Sequence, residues 1–521
     1  MTEIVRETTN PQLSEEDLAS VIELLEQISV DRGLLALMEA DDRNRLLKAA
    51  GQLVFPGRAA RRKYTRARRR QRQDEDAKCR SRDDLALAET GIRKQFVDLP
   101  RQEGCPSEPF QTTLPPPGSE AEDFVRLEEA RNCYVCKRDY DRLHPFYDAL
   151  CQDCAEFNWT KRHQTADLTG RFALLTGGRV KIGYQAALKL LRAGASVIVT
   201  TRFPRDAAER FSTEDDHLSW TDRLQIYGLD LRHTPSVEWL ASHLVATLPR
   251  LDFILNNACQ TVRRPPSFYS HLMKNERRAA NALPETARTM LSQYELLLSN
   301  GRPDRNEQQL PAEVSDSLIG IQQAAELSQV PLTPSDKETR ENFFPAGQFD
   351  VDLQQIDLRA ENSWRLRLAD VPTVELLEVH LVNAVAPFVL NARLRPLMKR
   401  VPTRDKHIVN VSAMEGIFYR AFKTDKHPHT NMAKAALNML TRTSAQDCVL
   451  DGIHMNSVDT GWITDEDPAE IAQRKRWEHR FHPPLDLIDA AARICDPIFS
   501  GLLSGQHVWG KFLKDYQIAN W

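Results

Sequence analysis

The sequence predicts an α/β protein with a doubly wound, mostly parallel sheet, and three observations predict it. Phe172 to Arg202 reads FALLTGGRVKIGYQAALKLLRAGASVIVTTR: a short apolar run, a Gly-containing turn, a helical pattern and a second apolar run. That is a β-turn-α-β unit, and its turn offers backbone N–H groups and a helix N-terminus to a phosphate. Further short apolar runs follow, ending before Asp230, at Asn256-Asn257-Ala258 and at Ser412-Ala413. Helical stretches carrying Asn383 and Lys434 complete the series, and strands alternating with helices give parallel pairing through crossovers.

With 521 residues the chain suggests two to four units rather than one core. No run of 18 or more apolar residues occurs, so no membrane span is expected. The start, MTEIVRETTN, lacks the basic-then-apolar layout of a signal peptide. A cytoplasmic protein is expected, in which the nine cysteines are thiols or metal ligands rather than disulfides. The net charge of −4 excludes bulk affinity for nucleic acid. It is unevenly spread, because residues 58–72 (RAARRKYTRARRRQR) carry nine basic side chains and no acid.

In chain order, residues 1–100 form a helical region with a basic arm. Ser14 with Asp17 reads as a capping box before Leu18, Val21, Ile22, Leu24 and Leu25. A second apolar series runs from Leu34 to Leu53, and the basic segment continues as a helix into Asp74-Glu75-Asp76-Ala77-Lys78. The nine charges fall on all faces, so none is buried against an apolar core. Phosphate neutralisation on nucleic acid is one reading. A solvated arm, or one docked on acidic protein surface, is the other, and Tyr64 alone supplies the aromatic interleaving that base stacking needs. Residues 101–120 hold five prolines and two glycines and read as a linker.

Residues 121–164 contain two CxxC pairs, Cys133–Cys136 and Cys151–Cys154. Each presents two thiolates from a tight turn, and four thiolates close a tetrahedral zinc shell with no open position. A structural metal is therefore expected in a module that resembles a zinc ribbon or treble clef. His144 is a possible substitute ligand but reads better as a helper or core histidine. Tyr134, Tyr140, Phe146 and Tyr147 supply the small core that a metal supplements.

The remaining chain, from 165 on, resembles the short-chain dehydrogenase/reductase superfamily from roughly Leu168 to the C-terminus. The resemblance implies a Rossmann-type fold and a nicotinamide dinucleotide. The superfamily turn T-G-x-x-x-G-x-G is here Thr176-Gly177-Gly178-Arg179-Val180-Lys181-Ile182-Gly183, with Lys181 in place of the middle glycine. Where NAD enzymes place an acid after the second strand, this chain has Thr201 and Arg202. With Arg179 in the turn, this favours the 2′-phosphate of NADP over NAD. The resemblance places Asp230 at the adenine edge and matches Asn256-Asn257-Ala258-Cys259 to the N-N-A-G signature. Gly461 and Thr464, in Val458-Asp459-Thr460-Gly461-Trp462-Ile463-Thr464, match the segment that touches the carboxamide and phosphates.

Cys259 and Asn383 are 124 positions apart, which leaves a large insertion at about 260–372. It includes Arg263-Arg264-Pro265-Pro266, reads helically from His271 to Leu298, and is loop-rich over 301–372. A lid, a specificity region and a partner surface all fit it. The superfamily's chemistry uses Ser, Tyr and Lys with a helix Asn. Asn383 and Lys434 match, whereas the Tyr position is Thr430 and the second serine of the strand end is Ala413, leaving Ser412 one residue off. Tyr419, His427 and His429, from the longer loop before Lys434, are candidate replacement proton donors. Two functions follow from the resemblance. One is an NADP-dependent oxidoreductase with an altered proton donor, acting on a small molecule as a homo-oligomer. The other is a silent dinucleotide-binding scaffold whose zinc module and insertion bind partners.

Overall fold

The computed structural model describes residues 14–95, 101–102, 125–300, 312–337, 343–350, 354–419, 423–464, 466–479 and 482–521. The chain divides into two compact units, Met1–Arg82 and Asp83–Trp521. In the first, α1 (Glu15–Val30) starts on Ser14, whose hydroxyl accepts the Asp17 N–H while the Asp17 carboxylate accepts the Ser14 N–H, the predicted capping box. Then come α2 (Ala40–Val54) and the long α3 (Arg58–Ala88). The basic residues from Arg58 to Arg72 are all exposed. Leu18, Val21, Ile22, Leu24, Val54 and Phe55 are also largely open to solvent.

The second unit begins with a small module of β1 (Arg126–Asn132) and β2 (Asp139–Arg142), paired antiparallel, followed by α4 (Gln152–His163). Most of the predicted linker lies outside the described residues. Its first two, Arg101 and Gln102, pair antiparallel with Phe349 and Gln348, so the linker is not wholly irregular.

An eight-stranded sheet forms the main body. Its strands are β3 (Phe172–Thr176), β4 (Ser196–Thr201), β5 (Leu224–Gly228), β6 (Phe253–Asn256), β7 (Lys406–Ser412), β8 (Ile453–Asp459), β9 (Phe512–Lys514) and β10 (Gln517–Ala519). The order across the sheet is β10-β9-β8-β7-β6-β3-β4-β5, parallel throughout except for the final β9–β10 hairpin. Every residue of β6, β7 and β8 is buried, as parallel strands covered on both faces must be. Helix α5 (Lys181–Arg192) packs against α14 (Leu487–Ser504), and α7 (Thr234–Thr247) against α12 (Ala386–Met398). Helix α6 (Pro204–Ser212) follows β4, and α13 (Pro428–Leu450) packs on β8. The chain winds outward from β3 in both directions, and that reversal opens a crevice at the C-terminal ends of β3 and its neighbours.

The insertion departs from the expected layout. Its helical stretch is two helices, α8 (Pro266–Glu276) and α9 (Glu285–Asn300), and the region read as loop-rich contains α10 (Ala312–Gln322). Helix α9 packs on the edge strand β5, and its Ala287, Met290, Leu291 and Tyr294 join the main core. A Cβ on Gly228 would lie 2.2 Å from the Tyr294 Oη, so the strand's last glycine admits the tyrosine. The insertion thus covers an edge that would otherwise be open to pairing. One helical stretch, α11 (Thr373–His380) through α12, is long and apolar enough to cross a membrane. Its Val379, Val389, Leu390, Leu394 and Leu397 are buried in the core, which accounts for its composition.

Candidate dinucleotide-binding cleft

The strand ends are locked together before the cleft begins. Thr176 Oγ1 accepts the N–H groups of Asn257 (3.1 Å) and Ala258 (3.0 Å). Asn257 Nδ2 donates to the carbonyls of Thr176 (3.1 Å) and Gly177 (3.2 Å). Gly177 has φ +71° and Lys181 φ +55°. Lys181 therefore keeps the left-handed backbone that glycine adopts without cost, so the turn holds its shape while the side chain adds a cation. A Cβ on Gly178 would lie 2.6 Å from Val199 Cγ1, and one on Gly183 2.2 Å from the Gly177 oxygen. Both glycines are there for close approach. Ile182 wedges between the main core and the cysteine module.

The turn opens onto a cavity of about 370 Å³ lined by six cations: Arg179, Lys181, Arg202, Arg232, Arg263 and Arg264. Arg179 pairs with Asp206 of α6 (2.7 Å). Arg202 Nη2 donates to Tyr269 Oη (2.8 Å), and its guanidinium lies 4.6 Å from that ring's centre. Burial pushes the Tyr269 phenol up, but Arg202, Arg264 and Arg179 together outweigh it and bring the pKa below the usual value. Of these, only Arg202 bonds the phenol; Arg179 is paired with Asp206, and Arg264 with Asp357. Lys181 Nζ is 3.8 Å from Glu466 Oε1. Lys181 foremost holds the Glu466 carboxyl below its ordinary range, against burial.

Asp230, placed at the adenine edge by the resemblance, lines the cavity and is paired with a neighbouring arginine. Its carboxylate accepts from Arg232 (2.6 Å), Arg232 reaches Glu378 (2.6 Å), Glu378 reaches Arg263 (2.8 Å), and Arg263 clasps Asp336 (2.6 Å). A buried chain of alternating charge joins the end of β5 to α11 and the insertion. Burial raises the Asp230 carboxyl, yet Arg232 brings it below the usual range.

Asn383 lies in a π-turn, Leu381–Val385, between α11 and α12, a bulge that often marks a functional position. Its Oδ1 accepts from the Gln260 N–H (2.8 Å) and its Nδ2 donates to the Gln260 carbonyl (3.1 Å). The side chain braces the strand end. Lys434 is buried, with Nζ donating to the Val411 carbonyl (2.7 Å). Thr430 lies one helical turn before it on α13, and Ser412 follows Val411. Both hydroxyls are buried without a protein partner. His429 is buried with neither ring nitrogen hydrogen-bonded, and its Nε2 lies 3.4 Å from Glu375 Oε1. His427 stacks on Trp364 (3.9 Å between centres) and bonds Asn431, and burial lowers its pKa. Tyr419 is half exposed. Ser412, Tyr419, His427, His429, Thr430 and Lys434 do not line the 370 Å³ cavity.

Gly461 (φ +80°) follows β8, with its N–H on Asp459. Thr464 Oγ1 donates to Glu466 (2.9 Å), which reaches back to the turn. In the cysteine module, the sulfurs of Cys133, Cys136, Cys151 and Cys154 all lie within 4.8 Å of one another, and Cys136 and Cys151 are 3.6 Å apart. Tetrahedral zinc with Zn–S of about 2.3 Å sets sulfurs about 3.8 Å apart, so the four fit the ion. The first pair sits on a turn with Lys137 at φ +63°, the second at the start of α4. The Arg138 N–H and guanidinium draw the Cys136 thiol down to about 6. His144 is outside the cluster. Its Nδ1 accepts the N–H groups of Phe146 and Tyr147, and burial lowers it to about 4, a core histidine.

Sequence reasoning did not single out Tyr269, Arg232 or Glu466. Arg263 and Arg264 stood out as a pair, but their position over the cleft depends on how the insertion folds back.

Comparison with known proteins accords with this geometry. Residues 171–277 match the short chain dehydrogenase family model, and 346–485 match the enoyl-(acyl carrier protein) reductase model. The gap between the matches falls in the insertion. Uncharacterized protein R665 of Acanthamoeba polyphaga mimivirus is 30% identical over 391 residues, 72% of this chain and 73% of that protein. Dehydrogenase/reductase SDR family member 13 of Bos taurus is 34% identical over 104 residues, 19% of this chain and 27% of that one. A solved NADPH-bound carbonyl reductase from chicken fatty liver is 16% identical, covering 68% of this chain and 100% of its own, with a TM-score of 0.38. The chain belongs to the short-chain dehydrogenase/reductase superfamily.

Proposed function

We propose that the protein is an NADP-dependent oxidoreductase of small carbonyl or alcohol substrates, with a proton donor other than the usual tyrosine. The observation that carries this reading is the set of arginines lining the cavity beside the glycine turn, Arg179, Arg202 and Arg264, with Arg202 facing, among the described residues, only the neutral hydroxyl of Tyr269. That cluster suits a 2′-phosphate better than a bare ribose. The bound dinucleotide supplies or accepts the hydride. The protein's share is to hold the phosphates with the turn and Lys181, to fix the strand ends through Asn383 and Asn257, and to move a proton.

Thr430 is no proton donor, because its hydroxyl pKa lies far above neutrality. Of the three candidates, His429 is favoured: it lies buried in the first turn of α13, neither ring nitrogen is hydrogen-bonded, and its Nε2 is 3.4 Å from Glu375 Oε1. Zinc on the four thiols is structural in this reading and needs the reducing conditions of the cytoplasm. Exposed Leu377, Phe388, Met432 and Met439 on α11, α12 and α13 favour a homo-oligomer.

A second reading, a silent dinucleotide-binding scaffold, is favoured by the Lys434 ammonium, which is engaged with Val411 away from the cavity. Hydride transfer against a panel of carbonyls and alcohols separates the two, with Lys434→Ala and His429→Gln as controls. The oxidoreductase reading expects turnover that both variants lose. Dinucleotide binding with no turnover of any substrate, and Lys434→Ala affecting binding alone, refutes it in favour of the scaffold.

A further inference from the structure

Tyr134 stands between the first two cysteines, and its side chain leaves the module. Its Oη accepts the N–H of Trp462 (3.1 Å), in the segment that follows β8. The ring is clamped on its other side by Lys514, whose Nζ lies 5.3 Å from its centre, and its own N–H is held by the Ala149 carbonyl (2.9 Å). The segment it meets is tightly fitted: a Cβ on Gly461 would lie 2.5 Å from Leu485 Cδ1 and 3.6 Å from the Tyr134 Oη. Ile463 and Leu485 belong to the same buried apolar cluster as Cys133, Cys151, Phe146 and Tyr147, with Ile182 of the phosphate turn at its margin.

From Trp462 the contacts continue to the cleft. Trp462 Nε1 donates to the Thr464 carbonyl (3.2 Å), Thr464 Oγ1 donates to Glu466 (2.9 Å), and Glu466 faces Lys181 in the turn (3.8 Å). The base of the module is equally fixed. Arg162 of α4 clasps Asp486 through both its terminal nitrogens (2.6 and 2.8 Å), and Tyr147 donates to Asp489 (2.6 Å). A knuckle that holds its shape around a metal therefore holds Tyr134, and Tyr134 sits on the backbone of the cleft's flanking segment.

We infer that Tyr134 is a positioning residue through which the metal state of the four cysteines sets dinucleotide affinity. This rests on the metal and dinucleotide readings given above. Linkage is reciprocal: bound dinucleotide must slow loss of metal by the same coupling that lets metal tighten dinucleotide binding. Loss of the ion, by chelation or thiol oxidation, would free Tyr134 and loosen Gly461–Thr464.

The test uses the full-length protein and Tyr134→Phe, which keeps the ring and removes the acceptor. Zinc content should stay at that of the wild type, while NADPH binds about five- to tenfold more weakly, as for one lost hydrogen bond. Hydrogen exchange over 460–464 should quicken by a similar factor. In the wild type, saturating NADPH should slow zinc release to a chromogenic chelator severalfold, and in Tyr134→Phe it should not. A wild type that holds both zinc and NADPH, with affinity and exchange unmoved in Tyr134→Phe, overturns the coupling alone. A wild type that holds no zinc or no dinucleotide overturns the underlying reading and the coupling with it.

Discussion

Replacing Lys181 tests the phosphate turn most sharply, because two effects with different signs meet at one residue. Its φ of +55° costs an L-residue about 1–2 kcal/mol, and glycine escapes that cost. Glycine in turn loses about 0.5–1 kcal/mol more backbone entropy on folding. Lys181→Gly should therefore be more stable than Lys181→Ala, which keeps the strain, by about 0.5–1 kcal/mol. The pairing with Glu466 at 3.8 Å is partly exposed and is worth at most about 1 kcal/mol. Lys181→Ala should thus be neutral or slightly destabilised. Both variants lose a cation that faces the phosphate site, which should weaken dinucleotide binding by roughly 1.5–3 kcal/mol. Urea midpoints with a common slope give the stabilities, and fluorescence titration gives the affinities. Equal stability of the glycine and alanine variants would refute the strained turn. Unchanged affinity in both would refute a phosphate contact by Lys181.

Three further outcomes are expected. Metal analysis of the purified protein should find about one zinc per chain, and Cys151→Ser should lose it together with thermal stability; a metal-free protein of unaltered stability would contradict the site. Arg202→Asp should abolish or reverse a preference for NADPH, by about 1–3 kcal/mol, and an unchanged preference would remove Arg202 from the site. Asp336 is the third. Although burial raises its carboxyl, Arg263 and the N–H groups of Leu332 and Thr333 bring it down to about 2, from 3.8 when unfolded. A depressed carboxyl stabilises fully above the unfolded value and loses that contribution as pH falls toward the folded one, here about 2 kcal/mol, half of it gone near pH 3. The penalty of Asp336→Asn in urea unfolding should therefore shrink between about pH 5 and pH 3, and a penalty that does not vary with pH would contradict the assignment.

The sheet was legible because its signal is local. β3 to β7 lie in the short apolar runs, each buried over nearly its whole length, and the helix patterns fall between them. The capping box at Ser14 and the cysteine pairs were legible for the same reason, since their partners lie within a few residues. What the sequence hid depends on contacts across long spans. Tyr294 over Gly228 and Tyr269 beside Arg202 are meetings of the insertion with strands some 66 residues earlier. Nothing at Tyr269 itself marks it. The expected adenine contact of Asp230 and the match of Asn383 to the helix asparagine came from the superfamily pattern. In the structure Asp230 lines the cavity and is paired with Arg232, and Asn383 is held by Gln260, contacts that the superfamily pattern did not announce. The reading of residues 301–372 as loop took its polar composition at face value, yet α10 packs its Leu318 and Ile321 into the core.

The central claim is that this cleft binds a nicotinamide dinucleotide through its 2′-phosphate. Parallel titration of the full-length protein with NADPH and NADH, followed by nicotinamide fluorescence, tests it most directly. The account predicts saturable binding of both, tighter for NADPH by about tenfold or more, as one charge-assisted contact requires. Equal affinities, or no binding of either dinucleotide, would contradict it.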